Sequence, residues 1–193
     1  MKPLRFVLLA LSMSLPAMAN AQSDAHTMPA ASDKAAPSDS QKAFDKLKTL
    51  AGSWVGRLTT FPAEPSVDGN FAQFSLRVTS LGNAFAHEMS ISGRADHPLT
   101  MFYRDADRLL LTHYCDAGNR PRMVATLSPD GKTLDFEFLD LAGGNDYGHM
   151  HHATFTFIDE NHHTEDWTYM VPGDTPVRAH FELQRTNAGT PTT

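Results

Sequence analysis

The sequence predicts an all-β protein: a ten-stranded antiparallel meander that closes into a barrel, entered through a short N-terminal helix. Two observations predict this class. From Gly52 onward, short runs rich in β-branched and aromatic residues alternate with clusters of Gly, Pro, Asn and Asp. The gaps between runs are mostly short, which pairs each strand antiparallel with the next. A sheet of that many strands tends to curl, and closure removes its exposed edges. Two stacked sheets are the alternative packing.

The elements follow in chain order. Residues 1–21 read as a secretory signal peptide. Lys2 and Arg5 supply a positive start, Phe6 to Leu15 an apolar core, and Ala19-Asn20-Ala21 a small-x-small cleavage site, with the cut after Ala21. The apolar run is too short to span a bilayer of about 30 Å as a helix. Residues 22–40 are mostly Ala, Ser, Asp and Pro and are expected to form a disordered linker, because they cannot bury enough apolar surface to offset their ordering entropy. Ser38-Asp39-Ser40 can cap a short helix carrying Ala43, Phe44, Leu47 and Leu50 at helical spacing, and Gly52 ends it.

The predicted strands are 54–61, 73–80, 85–92, 100–104, 109–115, 122–127, 134–140, 150–158, 163–171 and 177–185. Turn residues set their limits: Gly82-Asn83, Asp105-Ala106-Asp107, Asp116-Ala117-Gly118-Asn119, Pro129-Asp130-Gly131, Asp159-Glu160-Asn161 and Pro172-Gly173-Asp174. The barrel domain is thus residues 41–185, and residues 186–193 are expected to be a disordered tail.

Composition excludes some functions. The net charge is −6 and the Lys and Arg residues are scattered, so no basic face is available to neutralise a nucleic-acid backbone. A single cysteine, Cys115, leaves no internal disulfide for an exported chain. No membrane span and no obligate protein partner are indicated. The expected location is outside the cytoplasm, which in a Gram-negative host is the periplasm.

Leu50-Ala51-Gly52-Ser53-Trp54-Val55-Gly56 resembles the helix-then-GxW entry of lipocalin-like (calycin) barrels. Thr112-His113-Tyr114-Cys115, followed by Gly118-Asn119-Arg120-Pro121-Arg122-Met123, resembles a segment of uncharacterised secreted bacterial proteins of that kind. Gly148-His149-Met150-His151 fits the same pattern. The likeness spans Leu47 to Arg185. It implies the barrel, with Trp54 plugging the base beneath the helix, and carries no activity. A remoter likeness is to the nitrobindins, ten-stranded haem barrels related to fatty-acid-binding proteins. They open with a similar Leu-x-Gly-Ser-Trp-x-Gly run and ligate haem through a histidine on the last strand. It implies His180 as the counterpart, although the rest of the chain departs from that pattern.

Histidine is the outstanding candidate for chemistry. His87, His113, His149, His151, His152, His162, His163 and His180 fall in the barrel. With Cys115, Met150, Glu88 and Glu165 they are potential ligands for zinc or copper. Taking Phe157 opposite His163 puts His151, Ala153, Phe155, Phe157, His163, Glu165, Trp167 and Tyr169 on one hairpin face. That aromatic-rich face is expected to point inward. His151 then lies about 20 Å from Phe157 at about 3.3 Å per residue, so it cannot share an ion with His163. The candidate metal pair is His149 with His151. Phe85, His87, Met89 and Ile91 share a face, which makes His87 a core or cavity histidine and parts it from Glu88. On the last strand, Ala179, Phe181 and Leu183 form the apolar face, which turns His180 outward if that face is the lining.

A four-residue loop, Asp116 to Asn119, puts His113 opposite Arg122 and Thr112 opposite Met123. One face then carries His113, Cys115 and Arg122, and the other Leu110, Thr112, Tyr114 and Met123. Alternation does not decide which looks inward. A ligand cavity shows such a mixture, with hydroxyls from Thr112 and Tyr114 and a bidentate carboxylate clamp from Arg122. A polar outer face is the competing reading. Cys115 has His113 nearby as an activating base, yet the two are not aligned as a nucleophile–base pair, and an inert thiol is expected.

The expected function is an exported binding barrel for a small, partly apolar molecule. Its expected contacts are His113, Tyr114, Arg122, His151 and Trp167, with Thr112 and Met123 as walls. Two other classes stay open. One is a metal or haem carrier using His149, His151 or His180. The other is a cavity enzyme, an isomerase or hydrolase, with His113 or His151 as general base.

Overall fold

The computed structural model describes residues 36–186. The signal peptide, most of the linker and all but the first residue of the tail lie outside them. Helix α1 (Asp39–Lys48) starts inside the segment assigned to the linker. Ser38 caps it, its Oγ accepting the Gln41 N–H at 3.2 Å, and Ser40 is already buried. Ala43, Phe44 and Leu47 form the buried stripe that the sequence spacing predicted.

Ten strands follow: β1 (Gly52–Phe61), β2 (Phe71–Thr79), β3 (Ala84–Ile91), β4 (Leu99–Asp105), β5 (Arg108–Tyr114), β6 (Arg120–Leu127), β7 (Thr133–Ala142), β8 (His149–Phe157), β9 (His162–Val171) and β10 (Thr175–Arg185). Each neighbours the next antiparallel, and β1 pairs with β10, so the sheet is a closed barrel of the calycin type. Closure leaves no free edge. No helix among the described residues is long and apolar enough to cross a membrane.

Helix α1 packs at one end, against β4, β5 and β6. Beneath it Trp54 is fully buried and donates its indole N–H to the Leu50 carbonyl at 2.8 Å. The Arg185 guanidinium lies 4.2 Å from the centre of the Trp54 ring and donates to the Thr49 and Ala51 carbonyls. The chain end of the barrel is thereby fastened to its beginning, and Thr186 extends the link by donating its N–H to the Ser53 carbonyl. Phe102, Phe136 and Phe155 meet edge to face at 5.4–5.7 Å and fill the middle. At Gly56 β1 passes close to β10: a Cβ there would lie 1.9 Å from the Glu182 carbonyl oxygen.

Two local irregularities set which side chains face inward. The β5–β6 turn closes in three residues, because Gly118 takes φ +80° and the Cys115 N–H bonds the Asn119 carbonyl. Thr112 therefore pairs with Arg122, and Leu111 with Met123. This is one residue off the register expected from a four-residue loop. In β8 a bulge between Met150 and His152 leaves His151 without a partner.

Candidate functional site

At the end away from α1, the barrel opens into a cavity of 320 Å³. That is within the usual range for small-molecule sites. Its walls are largely apolar: Leu58, Met89, Ile91, Met150, Val177 and Phe181. Its mouth is charged. Arg94 donates to Asp96 and to Asp116, both at 2.8 Å, and this pairing holds the Asp96 carboxyl below its ordinary range. Glu64 and Asp116 join Asp96 in the lining against the single cation Arg94, so the mouth is net acidic.

The floor is histidine-rich. His87 on β3, Thr100 on β4 and His113 on β5 are successive cross-strand neighbours in one inward row. Trp167 faces both rings, with centroids 5.9 Å from His87 and 5.6 Å from His113. Thr100 Oγ1 and His113 Nδ1 share a hydrogen bond of 2.8 Å. Burial pushes His113 down from 6.5 to about 4, helped by its neighbour His87. His113 is thus neutral at physiological pH.

Behind the floor lies Glu165, with no exposed surface. It accepts from His87 Nε2 at 2.9 Å, His163 Nε2 at 3.1 Å and Trp167 Nε1 at 3.0 Å. Burial alone would raise its pKa. Attraction to His87 and the bonds from His163 and His87 overcome this and hold it at about 2. An ionised carboxylate only accepts, so both histidines present an N–H on Nε2. The Nδ1 atoms of His87 and His163 are buried and have no hydrogen-bond partner among the described residues. His87 lines the cavity, whereas His163 packs against the edge of Trp54 at 4.2 Å, nearer the helix.

Several expected site residues lie elsewhere. On β5 the row of Leu111 and His113 faces inward, which turns Thr112 and Tyr114 to the outer surface, and the one-residue shift in the β5–β6 register turns Arg122 outward with them. Thr112 bonds the Tyr103 hydroxyl at 3.1 Å, Tyr114 is exposed, and Arg122 donates to Asp140 at 2.8 Å. Arg122 therefore offers the cavity no carboxylate clamp. Met123 is inward and fully buried, in the packed core rather than among the lining residues. The β8 bulge gives the inward place to Met150 and takes His151 out of the lining. His149 and His151 do meet, Nε2 to Nδ1 at 3.1 Å, both against the ring of Phe138. Burial, then the charge of His151, lowers the pKa of His149. Among the described residues, however, the only group of three metal-ligand atoms is Asp135, Glu137 and His152, outside this pair. His180 points outward, bonded to Asp166 at 2.7 Å, so it cannot reach a haem held inside the barrel. His113 and Trp167 are the two expected contacts that line the cavity. Cys115 sits at the mouth, its thiol pushed up to about 11 by burial and by Asp116, hence protonated and unreactive at neutral pH.

No family model matches the chain, and no curated protein does. Among solved structures, it is similar to a protein of unknown function of the DUF3598 family from Nostoc punctiforme. That likeness has a TM-score of 0.51 and 11% identity, over 72% of this chain and 49% of the other. The chain spans about half the length of that protein, and the likeness is one of fold. An S-type phycobiliprotein lyase from Guillardia theta aligns with a TM-score of 0.36 and 8% identity, over 79% of this chain and 99% of the other.

Proposed function

We propose that the chain is exported and that its barrel holds a small, partly apolar molecule in the open-ended cavity. The carrying observation is the cavity itself: apolar walls, a floor of two histidines and a tryptophan, and 320 Å³ of space within a closed barrel. A few polar groups in an apolar lining fix a ligand's orientation while the walls supply affinity. The acidic mouth disfavours anionic ligands. The proposal of export rests on Lys2, Arg5, the apolar run after them and Ala19-Asn20-Ala21.

The test is a native mass spectrum of the protein purified from the exported fraction of its host, without chelator. The reading expects a chain beginning at Gln22 and an added mass on the order of a few hundred daltons that leaves on denaturation. An added mass of one metal ion would instead favour a carrier function for His149 and His151. A chain that keeps its first residues would overturn export.

A further inference from the structure

The charges at the mouth of the cavity do not balance. Glu64, Asp96 and Asp116 line it, and Arg94 is the only lysine or arginine among the lining residues. Three carboxylates against one guanidinium leave the mouth with a net charge of −2. Arg94 is committed to two of the three, bonding Asp96 through Nε and Asp116 through Nη2, both at 2.8 Å. Glu64 pairs with no basic side chain among the described residues; its Oε1 takes the Ser66 hydroxyl, at 3.0 Å. Its backbone N–H donates to Thr60 Oγ1 at 2.7 Å, and Thr60 is itself a buried lining residue, so Glu64 is fastened to the cavity wall. Deeper in, Leu58, Met89, Ile91 and Phe181 make the wall apolar. At the floor His87 faces the Glu165 carboxylate at 2.9 Å, which neutralises any positive charge on that ring.

We propose that the cavity selects a cationic amphiphile, an amine whose ammonium stays at the mouth beside Glu64 while its apolar body fills the space within. An ammonium held at the mouth keeps contact with water, so the apolar body is buried without the cost of desolvating a charge. The carboxylates attract that head, do nothing for an uncharged one and repel an anionic one. The inference rests on the binding function proposed above and specifies its ligand class.

The experiment is displacement of a neutral fluorescent probe, phenylnaphthylamine, from the purified protein at neutral pH and low salt. The competitors are octylamine, octanol and octanoate, which share a chain length and differ in head charge. Octylamine is expected to compete roughly fivefold better than octanol, the scale of one positive charge attracted to two negative ones about 7 Å away in a water-like dielectric. Octanoate is expected to be weaker than octanol by a similar factor. At about 1 M salt the octylamine advantage falls below about twofold, because the Debye length is then about 3 Å. In Glu64→Gln at low salt it falls to about twofold, one of the two net charges being gone. If that variant does not fold by circular dichroism, the salt series on the wild type decides alone. Octylamine no better than octanol, with the probe bound, overturns the cationic ligand class and leaves the binding function standing. An advantage that persists at high salt, or undiminished in the folded variant, also overturns it. Failure of the probe to bind at all overturns the binding function and the ligand class together.

Discussion

Replacing Glu165 with glutamine keeps the shape of the side chain and removes its charge. The native carboxylate takes three N–H donors with no exposed surface. The amide offers one acceptor oxygen and adds two N–H groups to a site already full of donors. The carboxyl titrates at about 2 in the fold against 4.5 for the free group. At ~1.4 kcal/mol per pKa unit, that difference stabilises the fold by about 3 kcal/mol at neutral pH. Losing one partner of a buried charged network costs a similar amount, ~3–5 kcal/mol. Because the folded pKa is depressed, this stability is complete above pH 4.5 and is lost as pH falls from there toward 2. Urea unfolding of wild type and Glu165→Gln at a series of pH values measures it. The variant is expected to be less stable by about 3 kcal/mol at neutral pH, with the deficit shrinking once the pH drops below 4.5. A deficit that stays constant down to about pH 3 would refute the ionised, triply bonded carboxylate.

Other consequences follow from the same geometry. His113 titrates at about 4 in the fold against 6.5 when free, so the unfolded chain binds its proton first and stability falls as pH drops from 6.5 toward 4. His113→Gln should flatten that part of the urea-stability profile, and an unchanged slope would contradict a neutral buried ring. Gly56→Ala places a Cβ 1.9 Å from the Glu182 carbonyl oxygen and must push β1 off β10. A loss of about 1–3 kcal/mol or more is expected in urea unfolding, and a neutral result would contradict the strand spacing at the closure. Arg122→Ala removes a surface pair with Asp140 and should leave the denaturation midpoint and probe binding unchanged. Lost probe binding in that variant would restore Arg122 to the cavity and overturn the observed register.

Most of the fold is legible in the sequence because turn residues are local signals. Gly82-Asn83, Pro129-Asp130-Gly131 and Asp159-Glu160-Asn161 fall between the observed strands, and every predicted strand lies within two residues of an observed one. The Phe157–His163 pairing, and with it the inward face of β8 and β9 from Ala153 to Trp167, follows from alternation alone. The site was less legible, because it depends on single-residue offsets. The loop Asp116 to Asn119 reads equally well as four residues or as three with Gly118 left-handed, and that choice decides whether Arg122 or Met123 shares the inward face with His113. Nothing in Gly148-His149-Met150-His151 announces the bulge that takes His151 out of the lining. His87 and Glu165 are 78 residues apart and meet only when the barrel closes. One signal for their meeting was present: Glu165 falls on an inward face between His163 and Trp167, and a carboxylate in such a place requires donors.

The most direct test of the cavity as a binding site is a titration of phenylnaphthylamine into the wild-type protein and into Ala179→Trp. Ala179 lines the cavity and pairs with Trp167 across β9 and β10. An indole there occupies the space that a ligand would take. The binding account predicts saturable one-to-one binding in the wild type and its loss in the variant, with the fold of both checked by circular dichroism. No saturable binding in the wild type, or equal binding in a folded variant, would contradict it.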